Sequence, residues 1–305
     1  MSNLNLVLQN LDDIEKKGKI NVYALKNIHK PEKDSYAIAL PSNQNSYFLK
    51  EYCKFLNSFV TFSCVKYDAI NYKDGTYEYI DLSAVEGVWD KFEDLLKDES
   101  LNRNNYASLV SGINLTICEL HIDDEIYFLG TWQEKSESKF KGRFPFLAEE
   151  GKLTSIPCDK LLTLTFNVDF VVSKKASIIY IFNRKHFQKV FNYYEILKNH
   201  VVENISVIDD WTFIDNVDFI KGEIDTSYVY KSLSKVIDDS NYLKIIKTTK
   251  PRTLKKRLLE KSSGAFTEDD FKNDKLQINK SNLEKIIKMI AKGFKYNFFT
   301  DKAED

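Results

Sequence analysis

The chain has 305 residues, of which 43% are hydrophobic and 29% charged, with a formal net charge of −1. That length and apolar content are enough for one large domain or two ordinary ones. The charge balance excludes a protein that binds nucleic acid by bulk basicity, so any DNA affinity must come from local segregation of charge. Gly (10) and Pro (5) are scarce, which argues against Gly-rich phosphate loops and long flexible linkers.

In chain order, Leu4, Leu8, Leu11 and Ile14 follow helical spacing, with Gly18 as the stop. NVYALK and YAIAL read as short strands, and Phe48, Tyr52, Phe55 and Phe59 mark a helix over 44–59. Asp74-Gly75, between two alternating segments, predicts a β-hairpin. Ser83 and Glu86 form a capping box for a helix to Lys97. GINLTICELHI and EIYFLGTW alternate and predict paired strands around Asp123-Asp124. Residues 134–148 read as helix or irregular connector. LLTLTFNVDFVV and ASIIYIFN predict two further strands, and Asn183 caps the helix that follows.

Beyond residue 204 the strand signal nearly vanishes, and helices are expected over 223–238, 241–249, 252–261, briefly after Thr267, and over 282–292 with Ser281 and Glu284 as a second capping box and Gly293 as its stop. The expected class is α+β, with a mixed or antiparallel sheet in the N-terminal two thirds and a mainly helical C-terminal third. The expected division is 1–204, carrying the sheet, and 205–305, a helical region packed on it.

Charge is segregated. Residues 78–99 and 209–239 are acidic, and the next stretch is basic: Lys244, Lys247, Lys250, Arg252, Lys255, Lys256, Arg257 and Lys261 against Glu260. Arg252, Lys255 and Lys256 share a helix face, so this ridge is a candidate DNA-phosphate contact. The bland reading is a solvated helix face, or one paired with the acidic neighbour. Arg184 and Lys185, at the start of the helix after IIYIFN, are a second candidate; the bland reading there is first-turn cations.

No GxxxxGK[ST], GxGxxG, GxSxG or HExxH motif occurs. Cys53, Cys64, Cys118 and Cys158 are far apart and read as reduced core thiols, so no metal site and no cofactor are expected. Glu119, Asp123, Asp124, Glu125 and Asp169 are the carboxylates an atypical metal-dependent nuclease would use. Asp123 and Asp124 read more simply as turn residues, and Asp169 either faces water or is buried and paired. Trp89, Trp132 and Trp211 could stack on bases but read as core. The N-terminus is too polar for a signal peptide, and no apolar run reaches the roughly 20 residues that span a bilayer.

VDFVVSKKASIIYIFNRKHFQKVFNYYEIL, residues 168–197, resembles the central signature of the KwaB-like proteins of the Kiwa anti-phage defence system. The positions that carry the resemblance are Asp169, Tyr180, Ile181, Phe182, Asn183, Arg184, Phe187, Lys189 and Phe191, with FLAEEGKL before them and a helical, basic tail after. It implies a cytoplasmic effector that binds double-stranded DNA without catalysis and hinders phage replication or transcription. It also implies a homodimer in a larger assembly, held at the inner membrane by a KwaA-like integral membrane partner. No catalytic residue is transferred by the resemblance. The alternatives are a metal-dependent nuclease and a partner-docking module whose acidic faces grip a basic partner.

Overall fold

The computed structural model describes residues 4, 7–8, 11–30, 36–40, 42–97, 113–122, 125–133, 146–149, 152–155, 164–292 and 296–303. The chain divides into two units, one of residues 1–67 and 73–193, the other of residues 68–72 and 194–305.

The first unit is built on an eight-stranded sheet. Its strands are β1 (Lys19–Lys26), β2 (Tyr36–Ala39), β3 (Ser63–Lys66), β4 (Thr76–Asp81), β5 (Ile113–Ile122), β6 (Glu125–Trp132), β9 (Phe170–Ser173) and β10 (Ile178–Ile181), in the order β2-β1-β5-β6-β9-β10-β4-β3. All neighbours are antiparallel except β3 and β4, which are parallel. The sheet is therefore mixed, and the α+β class is as expected. β7 (Phe146–Glu149) and β8 (Lys152–Ser155) form a separate hairpin, so part of the 134–148 stretch is strand.

Both faces of the sheet are apolar because both are covered. On one face, Cys118, Leu120, Tyr127, Leu129, Val171 and Tyr180 meet Leu11 and Ile14 of α1 (Leu11–Lys17) and Leu49, Tyr52 and Leu56 of α2 (Asn45–Asn57). On the other, Phe128 packs on Trp89 of α3 (Glu86–Lys97), and Phe170 packs on Phe191 just beyond α4 (Arg184–Val190). Burying each such ring contributes about 2–3 kcal/mol.

Three local expectations are corrected. The Asp74-Gly75 step is a turn, with Gly75 at φ 71°, but β3 and β4 run parallel and are not its two arms. Residues 68–72 cluster with the other unit, so the chain makes a long crossover where a hairpin was expected. Ser83 lies inside a 3-10 turn, Leu82–Val85, that precedes α3, so it is not the N-cap of that helix. In LLTLTFNVDFVV only Phe170 onward is strand among the described residues. Upstream, the Gln133 side chain takes the place of a neighbouring strand: its Oε1 accepts from the Thr165 N–H at 3.1 Å and its Nε2 donates to the Thr165 carbonyl at 3.2 Å.

The second unit is mainly helical. It contains α6 (Val217–Gly222), α7 (Ser227–Ile237), α8 (Ser240–Thr248), α9 (Pro251–Lys261) and α10 (Leu283–Ile290), and most of α5 (Tyr193–Asn204). Two minimal ladders, β11 (Phe271–Lys272) with β12 (Lys275–Leu276) and β13 (Tyr296–Asn297) with β14 (Lys302–Ala303), interrupt the helices. Ser281 does not cap α10. Asn279 Oδ1 accepts from the N–H groups of Ser281 and Asn282 at the helix entry. The capping box is at Thr267 and Asp270. Gly293 lies outside the described residues.

Candidate functional site

In the first unit, chemistry gathers at one end of the sheet, where β6 ends, β9 begins and β10 feeds α4. Asp169 sits there fully inside the protein, just before β9. Its carbonyl accepts the N–H groups of Phe182 and Asn183, which turns the chain from β10 into the helix. Its carboxylate Oδ2 accepts from the Trp132 N–H at 2.6 Å, Oδ1 lies 2.8 Å from His186 Nδ1, and the Asn183 side chain donates to the carboxylate as well. Burial pushes the Asp169 carboxyl above its ordinary range, against the pull of the Trp132 N–H and of His186. An ionised Asp169 only accepts, so Nδ1 then carries a hydrogen toward it, and in the neutral ring Nε2 is an acceptor. Of the two readings open for Asp169, the structure shows the buried and paired one.

Asn183 caps α4, its side chain accepting from the His186 N–H at 3.2 Å. Arg184, the first residue of the helix, turns back to Glu78 of β4. Its Nε donates to Glu78 Oε2 at 2.9 Å, and a second nitrogen donates to Oε1. Its guanidinium also lies 4.9 Å from the Tyr67 ring centre. Lys185 is exposed, with no ion pair among the described residues. Lys189, one turn beyond His186, holds its ammonium 4.1 Å from the centre of the Trp132 ring, a cation–π contact.

In the second unit, the basic ridge lies on α8 and α9 and divides by side. Lys247 pairs with Asp210 at 2.8 Å, and Lys255 with Glu268 at 2.7 Å and Asp274 at 3.5 Å. The Glu268 carboxylate holds the Lys255 ammonium above its ordinary range. Arg257 donates to the carbonyls of Phe298 and Phe299 at 3.1 and 2.9 Å, and lies 3.7 Å from Asp301. Lys261 reaches the same Asp301 at 2.7 Å. These cations fasten α8 and α9 to their surroundings.

The outward side differs. Lys244 and Lys250 are exposed with no ion pair among the described residues. Arg252 is 91% exposed with only a long contact to Asp274 at 3.6 Å, and Lys256 reaches its helix neighbour Glu260 at 3.9 Å. Exposed pairs of that kind contribute about 0–1 kcal/mol, so they yield readily to a phosphate. Much of the acidic 209–239 stretch is occupied internally: Asp209 with Lys221, Asp225 with Lys198, Asp238 with His200, and Asp239 with Lys292.

Among the described residues, the carboxylates weighed for a nuclease do not converge. Glu119 meets Asn21, Tyr23 and His121, and Glu125 meets Tyr127 and Lys175. Asp123 and Asp124 lie outside the described residues, and among those described no three His, Cys, Asp or Glu side chains gather as a metal-binding group. Trp89, Trp132 and Trp211 are all buried. So are Cys53 and Cys118, while Cys64 is partly buried and Cys158 lies outside the described residues. His186 carries no sequence signal of its own; only the cap at Asn183 and the aspartate in an apolar strand hinted at the pair.

A family model described as Kiwa protein KwaB-like matches residues 123–294, more than half the chain. Comparison with curated proteins and with solved structures returned no match.

Proposed function

This chain belongs to the Kiwa protein KwaB-like family, which gives it a Kiwa defence-related role, and from that premise we propose that it acts by holding double-stranded DNA through electrostatic contact without cutting it. The observation that carries the reading is the outward side of the ridge. Lys244, Lys250, Arg252 and Lys256 project from α8 and α9 with weak ion pairs or none among the described residues. Arg252 and Lys256 stand one helical turn apart, a spacing that lets one helix face meet successive phosphates. Lys247, Lys255 and Arg257 are held by their own partners and add charge near that surface, and Lys185 offers a further exposed cation in the first unit. Phosphate contacts of this type carry no base readout, so occupancy, not sequence choice, is the mechanism.

The same reading gives the protein a KwaA-like integral membrane partner at the inner membrane and a homodimeric state. Membrane-anchored copies would raise the local concentration of DNA sites by multivalency. Among the described residues no helix is long and apolar enough to cross a membrane.

The test is retention of a fluorescent duplex across a salt series, with and without Mg²⁺. Wild-type protein retains intact DNA with a steep salt dependence, and the Lys250→Glu/Arg252→Glu/Lys256→Glu variant loses it while keeping its circular dichroism. Unchanged retention by the variant rejects the ridge. Cleaved DNA rejects the non-catalytic reading.

A further inference from the structure

One end of the first unit's sheet gathers cationic groups that the ridge reading leaves unused. β1 ends at Lys26, opposite Ile113 of β5. The next residue, Asn27, donates its N–H to Asn114 Oδ1 at 3.0 Å, which starts the turn that carries His29. Leu115 of β5 lies opposite Trp132, the last residue of β6. The Trp132 N–H bonds Asp169, and Asp169 holds His186. The turn with His29, the end of β6 and the start of α4 therefore share one end of the sheet.

Two lysines reach this end from different helices. Lys91 of α3 donates to the Ile28 and Lys30 carbonyls at 2.9 and 2.5 Å, gripping the His29 turn from both sides. Lys189 of α4 lies over the Trp132 ring, and no carboxylate pairs with it among the described residues. Loss of water, then the ammonium groups of Lys91 and Lys189, hold the His29 imidazole below its usual range. The charges acting on that ring are thus cations, a field that an anion would relieve.

We propose that His29, Lys91, His186 and Lys189 form a binding site for a phosphate group. The Lys189 ammonium and the His29 ring supply donors, Lys91 adds its charge while it holds the Ile28 and Lys30 carbonyls, and His186 donates through Nε2 as the doubly protonated imidazolium, its Nδ1–H staying on Asp169. Asp169 and Asn183 set the His186 ring beforehand, so little ordering is lost on binding. Lys189 leaves a weak cation–π contact for a charge-assisted hydrogen bond to a phosphate oxygen. The phosphate belongs either to a free nucleotide-like ligand or to a nucleic-acid backbone. The site lies in the first unit and does not rest on the ridge of the second.

The experiment follows imidazole carbon–proton signals in full-length protein labelled at histidine, which has four: His29, His121, His186 and His200. The probes are inorganic pyrophosphate, a 5′-mononucleotide and a duplex oligonucleotide, each titrated separately. His29 and His186 are expected to shift together and to saturate. His121 and His200, paired with Glu119 and Asp238, stay in place and report an intact fold. Lys189→Glu, and the milder Lys189→Gln, weaken the titration by about tenfold or more. Response to pyrophosphate and mononucleotide alone assigns the site to a free phosphate ligand, and response to duplex assigns it to a backbone. No response to any probe, or a titration that Lys189→Glu leaves unchanged, overturns the proposal. The duplex titration repeated on the Lys250/Arg252/Lys256 variant separates this site from the ridge.

Discussion

Arg184 and Glu78 stand 106 positions apart in the chain and close a two-pronged, charge-assisted contact on each other. Glu78 is buried in β4, opposite Ile181 of β10, and Arg184 follows β10 at the first position of α4. The pair ties the second-to-last strand of the sheet to the helix that carries His186 and Lys189. It also occupies a cation that the sequence offered as a DNA contact.

Removing one member leaves the other buried and uncompensated. Arg184→Met is expected to cost about 3–5 kcal/mol in urea unfolding, and the double variant Arg184→Met/Glu78→Leu to recover much of it. A loss in the double variant equal to the sum of the Arg184→Met and Glu78→Leu losses would mean that the pair contributes no coupling.

Gly130 is required by its neighbour. It lies opposite Phe170 across β6 and β9, and a methyl group added there would come within 2.0 Å of the Phe170 ring. Gly130→Ala is expected to destabilise by about 1–3 kcal/mol, and trimming Phe170 to Leu in the same chain to relieve part of that strain. Thermal unfolding of the three variants checks it.

Asp239 caps α8 and supplies a pH signature. Its Oδ1 accepts from the Tyr242 N–H at 2.9 Å and Oδ2 from Lys292 at 3.0 Å. The Tyr242 N–H first, then Lys292 over the cost of burial, hold its carboxyl below the ordinary value. A depressed carboxylate contributes stability that is complete above the unfolded value of about 3.9 and is lost as pH falls below that through the folded value. Asp239→Ala is expected to cost about 0.5–2 kcal/mol at neutral pH, with the gap to wild type closing in acid. A gap that persists unchanged at low pH would remove charge from the account.

The ridge predicts a slope as well as an affinity. Each phosphate neutralised contributes about 0.9 to the log–log dependence of binding on salt, so the Lys250/Arg252/Lys256 variant is expected to lower that slope by about 3. Lys244→Gln alone is expected to lower it by about 1. A weakened affinity with an unchanged slope would point to a disturbed fold and not to lost phosphate contacts.

Thiol reactivity follows from burial. Loss of water pushes Cys53 and Cys64 up to about 11 and Cys118 upward too. Few thiolates exist near neutral pH, so alkylation of these three is expected to be slow until denaturant is added. Rapid labelling of Cys53 or Cys118 in native protein would contradict their burial.

The sequence by itself determined the class, the strand-rich front and helical rear, most of the helices, the cap at Asn183 and the location of the basic run. Those features are written in local periodicity and capping chemistry, which act within a few residues. Only the tertiary structure decided that β3 and β4 run parallel, because Gly75 marks a turn without saying which strands it joins. Only the fold could divide the ridge, since Lys255 and Lys256 are adjacent in sequence and yet one meets Glu268 while the other faces outward. It alone joined Asp169 to His186 and Trp132, and Arg184 to Glu78. Pairings between distant charges depend on the register of the sheet, and desolvation then makes them matter; neither quantity is contained in a local stretch of residues.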